Sequence, residues 1–218
     1  MTNFEKTERN QVVRVPNRGI YEREEIYHLI DSALICHIGF AQGDQPFVIP
    51  TLHARRGDEL LLHGATTSRL IQHAQAGHNL CITITMVDGL VLARSVFHHS
   101  MNYRSVVLFG QGYLIEGNDE KMAALEAFTE KLLQGRWEDA RQPNTVELKA
   151  TSIIAMPIES ASAKVRTGPP KDDEEDYALP VWAGVLPIAP QFQPLQADPQ
   201  LAADTPVPGY LKRYIEQG

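Results

Sequence analysis

Chemistry in this sequence concentrates in two short stretches. The first is Ala65-Thr66-Thr67-Ser68-Arg69, between an apolar run ending at His63 and a segment of helical character. Free backbone N–H groups at a helix start favour an anion. Thr and Ser hydroxyls add donors, and Arg69 adds a charged fork suited to phosphate. An ordinary cap followed by a solvated arginine accounts for the same residues. The second stretch is His98-His99-Ser100-Met101-Asn102-Tyr103-Arg104-Ser105. It combines donors, an aromatic ring and a cation, a mixture that suits a planar heteroaromatic ligand with polar edges. A polar surface loop has the same composition. Lys164, Arg166 and Lys171 form a further basic cluster, read as solvated charge.

Other chemistries lack their signatures. There is no G-x-G-x-x-G, no G-x-x-x-x-G-K-[ST] and no H-E-x-x-H, so Rossmann, P-loop and zincin sites are unsupported. Adjacent His98 and His99 diverge in a strand and do not readily share a metal. His53 and His63 lie on neighbouring runs without the spacing that completes a metal site, so no metal is expected. Cys36 and Cys81 sit in apolar runs, without a Cys-x-x-Cys pair. They read as buried, reduced thiols.

The elements that must carry these residues are mostly strands. Tyr21–Ser32 reads as a helix with Ile26, Leu29 and Ile30 on one stripe. The runs 33–41, 47–54 and 59–63 are short and separated by Gly43-Asp44 and Arg56-Gly57-Asp58, as strands and turns are. Thr67-Ser68, Arg69–Ala74 and Gly77 read as cap, short helix and stop. Runs 80–87 and 90–95 read as a hairpin turning at Asp88-Gly89. Residues 96–104 read as a loop and 105–116 as a strand, with Gly110 and Gly112 marking a bulge or close approach. A helix over 119–134, capped by Asn118, and a strand over 151–158 complete the pattern. The fold class is mainly β: a barrel of six to seven mostly antiparallel strands with about three peripheral helices, not a doubly wound sheet.

With 218 residues, 43% hydrophobic and 22% charged, the chain suits one substantial domain plus an appendage. Residues 1–166 are an N-terminal arm and the barrel. Residues 167–218 form a proline-rich extension expected to pack on the barrel or on a partner subunit. The net charge of −7 argues against nucleic acid as a partner. No apolar run is long enough to span a membrane, and the polar start MTNFEKTERN has no signal-like apolar core. A cytoplasmic protein is expected.

Taken in order, Phe47-Val48-Ile49-Pro50-Thr51, Arg56–Ala65, Ser68-Arg69-Leu70 and Asn102–Gly110 resemble the FMN-binding split-barrel superfamily. The closest resemblance is to its pyridoxamine 5′-phosphate oxidase-related branch, which includes the nitroimidazole-resistance (Nim-like) flavoproteins. The resemblance covers residues 20–165. It implies a homodimer with FMN at the subunit interface. Thr67, Ser68 and Arg69 would bind the phosphate. Pro50, Thr51, Leu52 and His53 would line the isoalloxazine, largely through backbone groups. His63 would lie near the flavin, Asn102, Tyr103, Arg104 and Ser105 would complete the pocket, and Trp182 would cover the ring from the partner. The arginine- and lysine-rich phosphate motif and the C-terminal substrate segment of the true pyridoxamine-phosphate oxidases are not found, so pyridoxamine phosphate is not the expected substrate. The implied activity is an FMN-dependent oxidoreductase passing electrons to a small acceptor, with His63 and Tyr103 as candidate proton donors. Two alternatives stay open: a non-catalytic flavin-binding, storage or sensor protein, and a haem-binding version of the barrel.

Overall fold

Alternating burial along the strands rolls this chain into a closed sheet. The computed structural model describes residues 2–215. In chain order the elements are β1 (Gly19–Ile20), α1 (Arg23–Ser32), β2 (Ile35–Gln42), β3 (Gln45–Arg56), β4 (Glu59–Ala65), α2 (Arg69–Gln75), β5 (Asn79–Leu92), β6 (Ser100–Gln111), β7 (Tyr113–Leu114), α3 (Asn118–Leu132), α4 (Arg136–Asp139), α5 (Thr145–Ala150), β8 (Thr151–Pro157), β9 (Ser160–Arg166), β10 (Gly184–Pro187) and α6 (Gly209–Ile215). The strand order is β1-β9-β6-β5-β2-β3-β4-β8-β7, with β10 on β5, and every pairing is antiparallel. Because β6 runs directly into β7, one length of chain stands at both ends of the β6-to-β8 path and closes the barrel. The join is Gly112, where a Cβ would collide with Ile154 Cγ2.

The barrel interior holds Cys36, Ile38, Leu60, Leu62, Ile82, Ile84, Val106, Leu108, Ile154 and Met156. Each buried Leu or Ile contributes about 1.5–3 kcal/mol. Helix α1 adds Ile26, Leu29 and Ile30 to this core, the three residues on the expected stripe. The opposite strand faces, with Ala54, Leu61, Ile153 and Ala155, pack on Ala124 and Phe128 of α3. A period of two therefore serves two cores, one inside the barrel and one beneath α3.

The mainly β barrel agrees with the sequence reading, and several local expectations do not. Asp88-Gly89 is not a hairpin turn: β5 runs through it with a bulge between Val87 and Gly89. Gly89 is absent from the positive-φ glycines. It is needed for space, since a Cβ there would come within 3.0 Å of both Leu186 O and Val185 Cγ1 of β10. The expected loop 96–104 is only a short 3-10 turn, Val96–His98, and then strand from Ser100, because β5 and β9 pair with β6 on both sides. The cap of α3 is Gly117, and Asn118 is already helical. Strand β9 and the small helices α4, α5 and α6 were not expected. Within the 167–218 extension, β10 adds to β5, and Tyr210 of α6 accepts from Arg136 Nη1 of α4 at 3.0 Å.

Candidate functional site

Strand β3 is paired on different sides in its two halves. Gln45–Leu52 pair with β2, whereas His53–Arg56 pair with β4. Among the described residues no strand lies along the second edge of Gln45–Leu52. The backbone groups on that edge are therefore free for a ligand. Pro46 and Pro50 stand on this stretch, in keeping with the rule that a proline in a sheet occupies an edge, where its missing N–H breaks no ladder.

The split leads into α2. At Gly64 a Cβ would lie 3.1 Å from Ile71 Cγ1 and 3.7 Å from Ser68 Cβ, so the glycine lets the helix fold back against the end of β4. Ser68 is the cap residue, yet its side chain makes no cap bond. Thr67 is exposed. The Arg69 guanidinium lies 4.2 Å from the Phe47 ring centroid, and Phe47 stacks on Phe40 at 5.5 Å. Arg69 has no carboxylate partner among the described residues. With only seven residues, α2 offers a weak dipole, so Arg69 is the main anion-attracting group here.

The residues of β3 and β4 divide by face. Thr51 pairs with the buried Cys36, and Pro50 with His37 on the outer face, where Val48 and Ile35 are also exposed. Leu52 packs against the core beneath α3. His53 is fully buried, its Nε2 2.9 Å from Lys131 Nζ. Its side chain does not reach a surface groove. His63 meets Phe128 edge-on with centroids 4.6 Å apart. Its Nδ1 is buried without a partner, and burial lowers its pKa. That keeps the ring neutral at pH 7 and makes it a weaker base than a free imidazole.

The Asn102–Ser105 stretch is split by the alternation of β6. Tyr103 and Ser105 line an open cleft of about 1290 Å³. Asn102 is buried, donating to Gly168 O at 3.1 Å and accepting from Arg166 Nη1. Arg104 is held by Asp88 at 2.7 Å across the β5 bulge and is not free for a ligand. The cleft does not include Pro50–His53, His63 or Thr67–Arg69, so the two halves of the expected site are separate within one chain. Trp182 is 67% exposed and lies over Gly184 ahead of β10.

The cleft also gathers residues the sequence reading set aside. Lys164, Arg166 and Lys171 line it together with Arg14 and Arg18 of the N-terminal arm. The available signal was the i, i+2 spacing of Lys164 and Arg166, which puts both on one face once Ser160–Arg166 is recognised as a strand. Nothing local in the sequence ties the arm to that face.

The comparisons agree with this architecture. No curated protein matches the chain at a significant level. Among solved structures, the flavocytochrome Anf3 from Azotobacter vinelandii is 38% identical with a TM-score of 0.90, covering 95% of this chain and 97% of that one. An FAD and heme binding protein from Mycobacterium smegmatis is 33% identical with a TM-score of 0.87, covering 90% and 97%. A putative 5-nitroimidazole antibiotic resistance protein from Bacteroides thetaiotaomicron shares the fold at a TM-score of 0.57, with 24% identity over 67% of this chain and 86% of that one. The family model described as pyridoxamine 5′-phosphate oxidase matches residues 22–165, the barrel from α1 to β9, and the chain belongs to that family.

Proposed function

We propose that this protein binds a flavin and works as an oxidoreductase, with the ring against the open edge of β3 and a phosphate on Arg69. The observation that carries this is the split at β3. A flavin's pyrimidine edge presents alternating donors and acceptors, which a free strand edge matches with its own N–H and C=O groups. Arg69, without a carboxylate partner among the described residues, stands where that edge meets α2. When bound, the flavin supplies the redox chemistry. The chain's part is to hold the ring and offer Arg69 to the phosphate, with His63 kept neutral by its burial. Exposed Ile35, Val48 and Pro50 on the outer face support a homodimer that buries this face and brings Tyr103 and Trp182 of the partner subunit over the ring.

The absorption spectrum of freshly purified protein tests the reading. A yellow protein with flavin bands is expected, and Arg69→Ala should weaken flavin binding about 10- to 100-fold, the size of a lost charged hydrogen bond to phosphate. A colourless protein that takes up neither FMN nor FAD defeats it. FMN is the form the sequence resemblance implies. The Mycobacterium relative is described as binding FAD, and chromatography of the released cofactor separates the two. Oxidation of a reduced donor distinguishes an enzyme from a flavin store or sensor.

A second reading, haem held beside the flavin, is favoured by the likeness to two relatives above 30% identity, a flavocytochrome and an FAD and heme binding protein. A haem ligand must be a neutral imidazole with a free nitrogen. His63 meets that requirement, whereas His53 Nε2 is engaged by Lys131. A Soret band lost in His63→Ala is the expected sign.

A further inference from the structure

One cation stands behind the open edge of β3. Lys131 reaches over from α3, and its Nζ lies 2.9 Å from His53 Nε2 and 3.0 Å from Ile30 O. His53 is the first residue of β3 to pair with β4, where the free edge of Gln45–Leu52 ends. The same charge acts on the Cys36 thiol, and Cys36 pairs with Thr51. The ammonium therefore sits beneath Thr51–His53, at the point where the strand changes partners.

Among the described residues Lys131 forms no ion pair. The charged and titratable groups that face it are His53 and Arg55 of β3, Asp31 of α1 and Cys36 of β2. Asp31 is the one acid of this set, and Arg55 takes it at 2.5 Å. Burial keeps His53 neutral and the Cys36 thiol protonated. The fold itself does not need the lysine's charge. His53 Nε2 is also 2.9 Å from Ile30 O, so a protonated Nε2 satisfies that carbonyl with no lysine present. An ammonium drawn out of water costs stability, and its field reaches far in a low dielectric. A charge kept where a neutral side chain would serve points to an anion formed close by.

We infer that Lys131 sets the reduction potential of the bound flavin, its ammonium favouring the anionic reduced ring over the neutral oxidised one. This rests on the flavin reading, which sets the pyrimidine edge of the ring against β3. Two electrons and one proton from a hydride donor leave a negative charge on that edge, shared by N1 and the C2 carbonyl, and nearby protein charge tunes how readily it forms. Lys131 touches neither ring nor substrate; it acts through the strand.

The test is anaerobic reduction of the flavin-loaded full chain against a dye of known potential, at pH 7 to 10, for wild type, Lys131→Met and Lys131→Gln. At pH 7 each variant should favour the reduced flavin about tenfold less than wild type, a potential lower by about 30 mV for a two-electron couple. Burial brings the Lys131 ammonium down to about 8, and the reduced ring raises it again by the same tenfold factor. The difference should therefore shrink to less than about twofold by pH 10. Wild type carries the same signature without any variant: reduction takes up an extra proton between those two values, and the potential falls more steeply there, by about 30 mV per pH unit. His53 at about 4 and Cys36 at about 12 do not titrate in this window. Equal potentials in the three proteins overturn the inference and leave the flavin reading standing. A difference that persists unchanged to pH 10, or one shown by the methionine variant and not by the glutamine variant, traces to packing and overturns it as well. A chain that takes up no flavin defeats the flavin reading and this inference with it.

Discussion

Replacing Lys131 by methionine should remove a pH dependence of stability that one buried ammonium creates. Lys131 reaches from α3 into the contact between α1 and β3, where Nζ donates to Ile30 O at 3.0 Å and to His53 Nε2 at 2.9 Å. An ammonium has only donors, so Nε2 must accept, and the ring proton sits on Nδ1, which is buried without a partner. Burial, with the lysine's charge behind it, lowers the His53 pKa to about 4. Burial likewise lowers Lys131 from 10.5 to about 8. Between those two values the unfolded chain binds more protons than the folded one, so stability rises with pH across that window. Below it the whole cost is present, and above it the cost is gone. At 1.36 kcal/mol per unit the shift corresponds to about 3 kcal/mol, which partial exposure of the side chain reduces to about 1–2 kcal/mol.

In Lys131→Met the His53 proton moves to Nε2 and donates to Ile30 O, so no carbonyl is stranded. The variant should be about 1 kcal/mol more stable than wild type at pH 7, with the difference shrinking to about a quarter of that by pH 10. Urea unfolding at pH 7, 8, 9 and 10, read as the difference between the two proteins, measures this. The difference is needed because Cys36, raised from 9.0 to about 12, pulls the other way: its contribution is present below pH 9 and lost above it in both proteins. A difference that stays flat from pH 7 to 10, or a variant destabilised equally at every pH, refutes the ammonium assignment.

Three further outcomes are expected. Gly112→Ala puts a methyl group into Ile154 at the barrel's closing point and should cost about 1–3 kcal/mol, seen as a melting temperature lowered by about 2–4 °C per kcal/mol. Asn144→Ala removes the side chain that accepts from the Val146 and Glu147 N–H groups in the α5 capping box; the loss should be about 1 kcal/mol in urea unfolding. Cys36 is fully buried with its thiol pushed up to about 12, so Ellman's reagent should leave it unmodified at pH 8 in the folded protein and modify both cysteines after denaturation.

The sequence by itself determined the barrel, because that information is local. Alternation in Ile35–Gln42 and Gln45–Arg56 is set by the period of a strand, and Gly43 and Gly57, with φ of 59° and 58°, occupy turns that only their own flexibility explains. The stripe Ile26, Leu29, Ile30 was legible for the same reason, as was the small helix after Thr67-Ser68. Tertiary structure decided what several elements must share. Asp88-Gly89 carries a turn's composition, yet β6 and β10 claim both edges of β5 there and hold it straight. Asn102–Arg104 look like loop residues until two neighbouring strands supply their hydrogen bonds. The candidate site divides the same way. Arg69 could be read from its place after a cap, whereas the basic cleft is assembled from residues 14 to 171 by the docking of the arm on β9. A strand's period is written in neighbouring residues, but a charge becomes uncompensated only when distant chain segments have excluded its solvent and left it without a partner.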